Sequence, residues 1–122
     1  MKTVAVVGAS SDRQKFGNKA LRAFRAEGHN VIPINPNESE VEGIPTYASV
    51  TDVPGQIDMA TVYVPPDIGI TLLDGFESKQ IAEIWINPGA ESDELMAEAR
   101  RRKLNVIEAC SIVGIGQNPY SY

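Results

Sequence analysis

The sequence is short of the residues that most active-site chemistry needs. It holds one cysteine, Cys110, and one histidine, His29, among 122 residues. A disulfide within the chain is excluded, and a zinc site built on Cys and His ligands has no donors to use. Basic charge is scarce as well: 11 Lys and Arg stand against 16 Asp and Glu, a net charge of −5. Nucleic acid calls for a basic face that displaces phosphate counterions, so the balance argues against such a partner. Long hydrophobic runs are missing too. The opening stretch MKTVAVVGAS reaches a glycine and a polar loop after a few apolar residues, which fits neither a signal peptide nor a membrane span. The expectations are no membrane partner and a cytoplasmic location.

What is present is ordinary for a folded domain. Hydrophobic residues make up 43% and charged residues 22%, and the length suffices for one core without staples. No repeat, low-complexity stretch or linker divides residues 1–122, which read as one domain with residues 113–122 as a surface tail. Short β-rich runs alternate with amphipathic segments, the pattern of βαβ units. The expected strands are Thr3 to Val7, Val31 to Ile34, a weak one at Thr46-Tyr47, Met59 to Val64, Ala82 to Ile86, and Val106-Ile107. One helix is expected from Gly17 to Glu27, with Ala20, Leu21 and Phe24 on one face and Gly28 as its stop. A second spans Ile68 to Lys79. A third begins after Ser92 as N-cap, with Asp93 and Glu94 in its first turn and Arg100 to Lys103 in its last. The fold class that follows is α/β: a single Rossmann-like, doubly wound domain, its mostly parallel sheet of about five strands covered by helices on both faces.

The unusual residues fall at strand ends. Gly8-Ala9-Ser10-Ser11, Asn35-Pro36-Asn37, Val64-Pro65-Pro66 and Asn87-Pro88-Gly89 each directly follow an expected strand. In an open α/β sheet these ends share one edge, where ligands bind. Pro and Gly also end strands for purely local reasons, but one shared site accounts for all of these turns together. In the first turn, Gly8 permits a tight bend, Gly17 allows backbone to approach a ligand, and the helix start offers N–H groups to an anion. The spacing is longer than G-x-G-x-x-G, and no Walker lysine follows. Arg13, Lys15, Lys19, Arg22 and Arg25 cluster here against Asp12 alone. Lys19, Arg22 and Arg25 fit a solvated helix face, which leaves Arg13 and Lys15 on the loop as anion contacts.

The later turns bear on which nucleotide is bound. A dinucleotide-binding domain usually ends its second strand with Asp or Glu toward the adenosine ribose. Here no carboxylate occurs before Glu38, so NAD(P) is the alternative ligand rather than the first. Pro65-Pro66 has no N–H to donate and offers only carbonyls and an apolar ledge, suited to the face of an adenine. The Asn35 side chain, across the edge, could hydrogen-bond a polar rim of that base.

The order V-x-G-A-S, V-x-P-I-N-P, V-Y-V-P-P and a late strand followed by G-A closely resembles the small stand-alone CoA-binding proteins. These are related to the N-terminal domain of the succinyl-CoA synthetase α subunit and of ADP-forming acyl-CoA synthetases. The resemblance runs from about Thr3 to Ile112. It implies a small-molecule nucleotide ligand, coenzyme A or an acyl-CoA. Gly8, Ala9, Ser10, Ser11, Lys15, Phe16 and Gly17 would cradle its phosphates, and Asn35 and Pro36 would line the nucleotide edge. Val64, Pro65 and Pro66 would pack on adenosine, and Asn87, Pro88, Gly89 and Ala90 would border the pantetheine path. Members often carry a lysine after the second-strand Pro; this chain has Asn37 and Glu38, and one phosphate contact is absent.

Nothing in the sequence assembles a reaction. Cys110 reads either as a thiol near the CoA sulfur or, more simply, as a small apolar residue packed under the sheet edge. His29 belongs to the opposite end of the sheet, and Glu91, Asp93 and Glu94 suit a helix start. The expectation is a non-catalytic binding module: a sensor, a carrier or a subunit of a larger assembly, with self-association or a partner protein left open. A small NAD(P)-dependent oxidoreductase or regulatory domain, and an interaction protein without ligand, are the alternatives.

Overall fold

The computed structural model describes all residues, 1–122. In chain order the elements are β1 (Thr3–Val7), α1 (Phe16–Ala26), β2 (Asn30–Ile34), β3 (Glu40–Val41), β4 (Ile44–Pro45), β5 (Met59–Val62), α2 (Pro66–Gly69), α3 (Leu73–Ser78), β6 (Glu83–Ile86), α4 (Asp93–Arg101), β7 (Val106–Glu108) and α5 (Ser111–Gly114). The main sheet runs β2-β1-β5-β6-β7 with every pairing parallel. The chain moves outward from β1 to β2, then returns past β1 to continue through β5. The switch in direction therefore lies between β1 and β5, where an open α/β sheet forms its ligand crevice.

Strand periodicity sorts the core into two layers. On one face Val4 and Val6 of β1 pack with Leu21 and Phe24 of α1 and Ile112 of α5. On the other, Ala5 and Val7 pack with Leu73 and Phe76 of α3 and Leu95 and Ala99 of α4. This two-sided burial is why Val4 to Val7 of β1 read as an unbroken apolar run. Pro33 in β2 has no N–H for a further neighbour, which suits an edge strand, and its carbonyl accepts from Tyr47 N at 3.1 Å.

Several boundaries depart from the sequence expectations. The weak strand at Thr46-Tyr47 is a single bridge from Tyr47 to Ile34. The nearby ladder is a β3–β4 hairpin whose turn residues Glu42 and Gly43 both have positive φ, the backbone of a tight hairpin turn. The strand drawn to Val64 ends at Val62, because Pro65 and Pro66 cannot continue a ladder. The helix expected over Ile68 to Lys79 is broken into α2, a tight turn at 70–72, and α3. Gly69 and the β-branched Ile70-Thr71 pair make a weak helix, and the Thr71 hydroxyl donates to the Ile68 carbonyl. α4 starts after Ser92, whose hydroxyl accepts from Leu95 N at 3.0 Å, but it stops at Arg101. Arg102 beyond it ties α4 to Asp74 and Glu77 of α3. The tail is a folded strap: Gln117 donates to Glu27 at 2.6 Å, and Tyr122 sits under the Arg22 guanidinium against α1.

The β1–α1 junction is the tightest point of the fold. Gly8 has φ +90, and a Cβ placed on Gly17 would lie 2.2 Å from the Gly8 carbonyl oxygen. Gly17 is thus required for helix-on-loop packing. Gly17→Ala is expected to lose about 1–3 kcal/mol of stability or more, read by denaturant melting. A variant as stable as the parent contradicts this packing.

Candidate functional site

The ends of β1, β2, β5 and β6 surround two adjoining cavities. The first, about 410 Å³, opens between Ile34, Asn35 and Pro36 after β2 and Val50, Ile68 and Leu72 opposite. The second, about 490 Å³, lies between the first loop (Ser10, Lys15, Phe16, Gly17), Tyr63 and Pro65, and the Pro88-Gly89-Ala90 turn. Gly8, Asn35 and Val64 line both. The two form one trough with its neck at the β1–β5 switch. The first compartment is largely apolar; the second is bordered by a cation and a helix start.

That helix start differs from the start of α4. α4 is capped by Ser92 and carries two carboxylates in its first turn. α1 has no side-chain cap and no acidic residue in its first turn, and the Phe16 and Gly17 N–H groups find no acceptor within the chain. Free N–H groups and the positive end of the helix dipole thus lie at a cavity wall. Lys15, the residue before α1, is exposed and joins none of the ion pairs.

Most of the residues singled out from the sequence line the trough, but five do not. Ala9 is fully buried in the α1 layer. Arg13 turns to Glu42, 3.7 Å away, and its carbonyl accepts from Arg22, so of the pair expected on the loop only Lys15 lines the trough. Ser11 donates through its N–H and hydroxyl to Glu38, at 2.5 and 3.1 Å. Pro66 is the first residue of α2 rather than a ledge, and the Pro65 carbonyl is used by Ile68 and Gly69 N–H. Asn87 is 1% exposed. Its amide donates to Thr61 Oγ1 and the Val62 carbonyl and accepts from Ser111 N, which makes it a brace beneath the site rather than a wall. Asn35 lines the trough, yet its amide already donates to the Ala9 carbonyl and accepts from Asn37 N, each at 2.8 Å. It fixes the neck and keeps one amide N–H and one oxygen lone pair for a further partner.

Cys110 lines neither compartment; it packs half-buried against the α1-side core. His29 lies at the far end of the sheet, where its Nδ1 accepts from Lys2 N and its ring leans on Phe24. The sequence reading missed the wall formed by Ala48 to Thr51 and by Thr71, Leu72 and Gly75. The signal was there in part: Gly75 lies where a Cβ would meet Val50 Cγ2 at 3.3 Å. No helix is long and apolar enough to cross a membrane, and no cluster of metal-ligating side chains exists.

A switch-point trough with a phosphate-type loop defines a nucleotide-binding α/β domain. The chain belongs to the CoA binding domain family, whose model matches residues 2–115. It is 31% identical over 92% of its length to the α subunit of an ADP-forming acetate–CoA ligase (II) from Pyrococcus furiosus, and it spans 24% of that protein. It is 39% identical over 96% of its length to ADP-forming acetate–CoA ligase I from Archaeoglobus fulgidus, spanning 17% of it. Among solved structures, a conserved hypothetical protein from Pyrococcus furiosus superposes with a TM-score of 0.85 at 31% identity, covering 93% of this chain and 99% of that one. A dinucleotide-forming acetyl-coenzyme A synthetase 1 from Ca. Korarchaeum cryptofilum matches at 0.75 and 29% identity, over 88% of this chain and 26% of the other.

Tyr63 on the trough wall carries the site's one shifted proton. Burial pushes its phenol above the usual 10.0, against hydrogen bonds to Ser111 and Thr61 that lower it. Folding thus favours the neutral phenol. That contribution to stability is fully present below pH 10.0 and lost as pH rises through the higher folded value. Unfolding measured from pH 9 to 11.5 should fall off more steeply for the parent than for Tyr63→Phe. Equal or reversed slopes contradict it.

Proposed function

We propose that the protein binds coenzyme A or an acyl-CoA along this trough and acts as a non-catalytic module in the cytoplasm. The observation that carries the reading is the uncapped start of α1 beside unpaired Lys15, opening onto a cavity continuous with an apolar one. An adenine fits the compartment walled by Ile34, Val50, Ile68 and Leu72. The diphosphate fits the Phe16 and Gly17 N–H groups and Lys15. The pantetheine arm follows Pro65 toward Pro88, Gly89 and Ala90. The bound thioester or thiol would supply the acyl-transfer chemistry; this chain's residues bind, orient and shield.

The non-catalytic part rests on what surrounds the thiol end of this path. Pro65 and the Pro88 to Ala90 turn supply no side-chain nucleophile, the Glu91 carboxylate beside them accepts from Gly89 N at 3.0 Å, and His29 is at the opposite edge. The relatives named as ligases are about four to six times longer by the share matched, which suits a role as sensor, carrier or subunit beside another protein.

Calorimetric titration with CoA tests the reading. The parent protein should bind, and Lys15→Ala should weaken binding by about 1.5–3 kcal/mol, the range for a hydrogen bond to a charged group. The loss should shrink as salt is raised. Arg13→Ala, whose side chain faces Glu42, should change affinity much less. An unchanged Lys15→Ala affinity moves the phosphates elsewhere; no binding by the parent ends the proposal.

A further inference from the structure

The β3–β4 hairpin carries, at its turn, a residue that the backbone there does not favour. A two-residue turn with positive φ at both positions prefers Asn, Asp or Gly at the first, because other side chains are strained in that conformation. Here the first position is Glu42, with φ 51, followed by Gly43. Contacts with α1 and the first loop hold it. The Glu42 carboxylate accepts from Asn18 Nδ2 at 3.1 Å and lies 3.7 Å from Arg13 Nε, and its carbonyl accepts from Arg25 Nη2 at 2.9 Å. A left-handed Glu kept where Asn would be relaxed points to a use for the longer side chain.

That use is read from Asn18, which is fully buried in the first turn of α1. Its amide nitrogen donates to the Ser10 carbonyl at 2.8 Å as well as to Glu42, and its oxygen accepts from Arg22 Nε at 2.7 Å. A carboxylate only accepts, so Glu42 holds the NH2 end of this amide toward itself and toward Ser10. Without it a buried N–H loses its partner, a cost that the amide escapes only by moving. Ser10 and Gly17 both line the second compartment, and Asn18 joins them, by its bond to the Ser10 carbonyl and by the peptide link to Gly17. We infer that Glu42, which lines neither compartment, is a positioning residue: through Asn18 it holds Ser10 against the start of α1 and sets the gap that receives the diphosphate. The Arg13 pair is not the route, because that side chain is 65% exposed and ion pairs of this kind contribute little. The inference rests on the proposed binding mode and adds to it a residue from the hairpin.

Titration of the full chain, Glu42→Asn and Glu42→Gln with CoA, beside thermal unfolding of each without ligand, tests it. Asn suits the turn, but its shorter side chain falls short of Asn18; Gln keeps the reach and an oxygen that accepts. Both remove the charge facing Arg13, so the difference between them isolates the Asn18 bond. Glu42→Asn should melt no lower than the parent and yet bind CoA at least fivefold more weakly. Glu42→Gln should bind at least threefold more tightly than Glu42→Asn. A purely structural Glu42 predicts instead that affinity follows melting temperature. The role of Glu42 is overturned by a smaller loss in Glu42→Asn, by a loss accompanied by a lower melting temperature, or by a smaller difference between the two variants. In each of these cases the parent still binds and the trough stands as the site. A parent that does not bind CoA ends the binding mode and this inference with it.

Discussion

The close approach of α1 to the end of β1 governs the rest of the molecule. Gly8 turns the chain with a φ of +90, and Gly17 has no side chain where the Gly8 carbonyl lies 2.2 Å from a would-be Cβ. The contact seats the first turn of α1 on the strand end, so its unpaired N–H groups open toward the neck of the trough. Asn18 in the same turn, fully buried, donates to the Ser10 carbonyl and accepts from Arg22, so the loop cannot drift from the helix. Loosening this junction would disperse these N–H groups even with every trough residue still present.

A second layer of polar bonds makes the neck rigid. On the α5 side of the sheet, Thr61, Asn87 and Ser111 form a buried hydrogen-bonded group reaching the Tyr63 hydroxyl. No buried side-chain polar atom is left without a partner. A fully satisfied network of this kind stiffens its surroundings, whereas a partly satisfied one weakens them. Asn35 bonds backbone groups of the first loop and the β2 turn, and Asn87 bonds the Thr61 hydroxyl and backbone groups beneath the β6 turn. The recurring Asn-Pro punctuation thus builds the rim of the trough.

This explains what the sequence could and could not disclose. The sheet, its order of elements and the edge where the two cavities lie were legible, because continuous apolar runs and Gly or Pro at their ends follow from backbone geometry alone. Side-chain roles within the edge were less so. Nothing in the spacing tells that Arg13 turns to Glu42, which depends on the β3–β4 hairpin arriving beside the first loop, or that Asn35 donates to Ala9, which depends on β2 lying beside β1. Glu38 was read as a carboxylate too late in the chain for a ribose contact and, with Asn37, as standing where related proteins carry a lysine. The turn after β2 brings it back against Ser11, a distance that sequence counting does not measure. The apolar wall from Ala48 to Thr51 escaped for the same reason, lying in a segment with no periodicity of its own.

Chemical-shift mapping of backbone amides during addition of CoA tests the central claim most directly, because it locates the ligand without relying on a substitution. The account predicts that the largest changes fall on Gly8, Ser10, Lys15, Gly17, Asn35, Val64 and Gly89, with Leu72 and Thr51 following from the base compartment. Changes centred on the opposite sheet edge, around His29, Asp58 and Lys79, would contradict it, as would a spectrum that does not move.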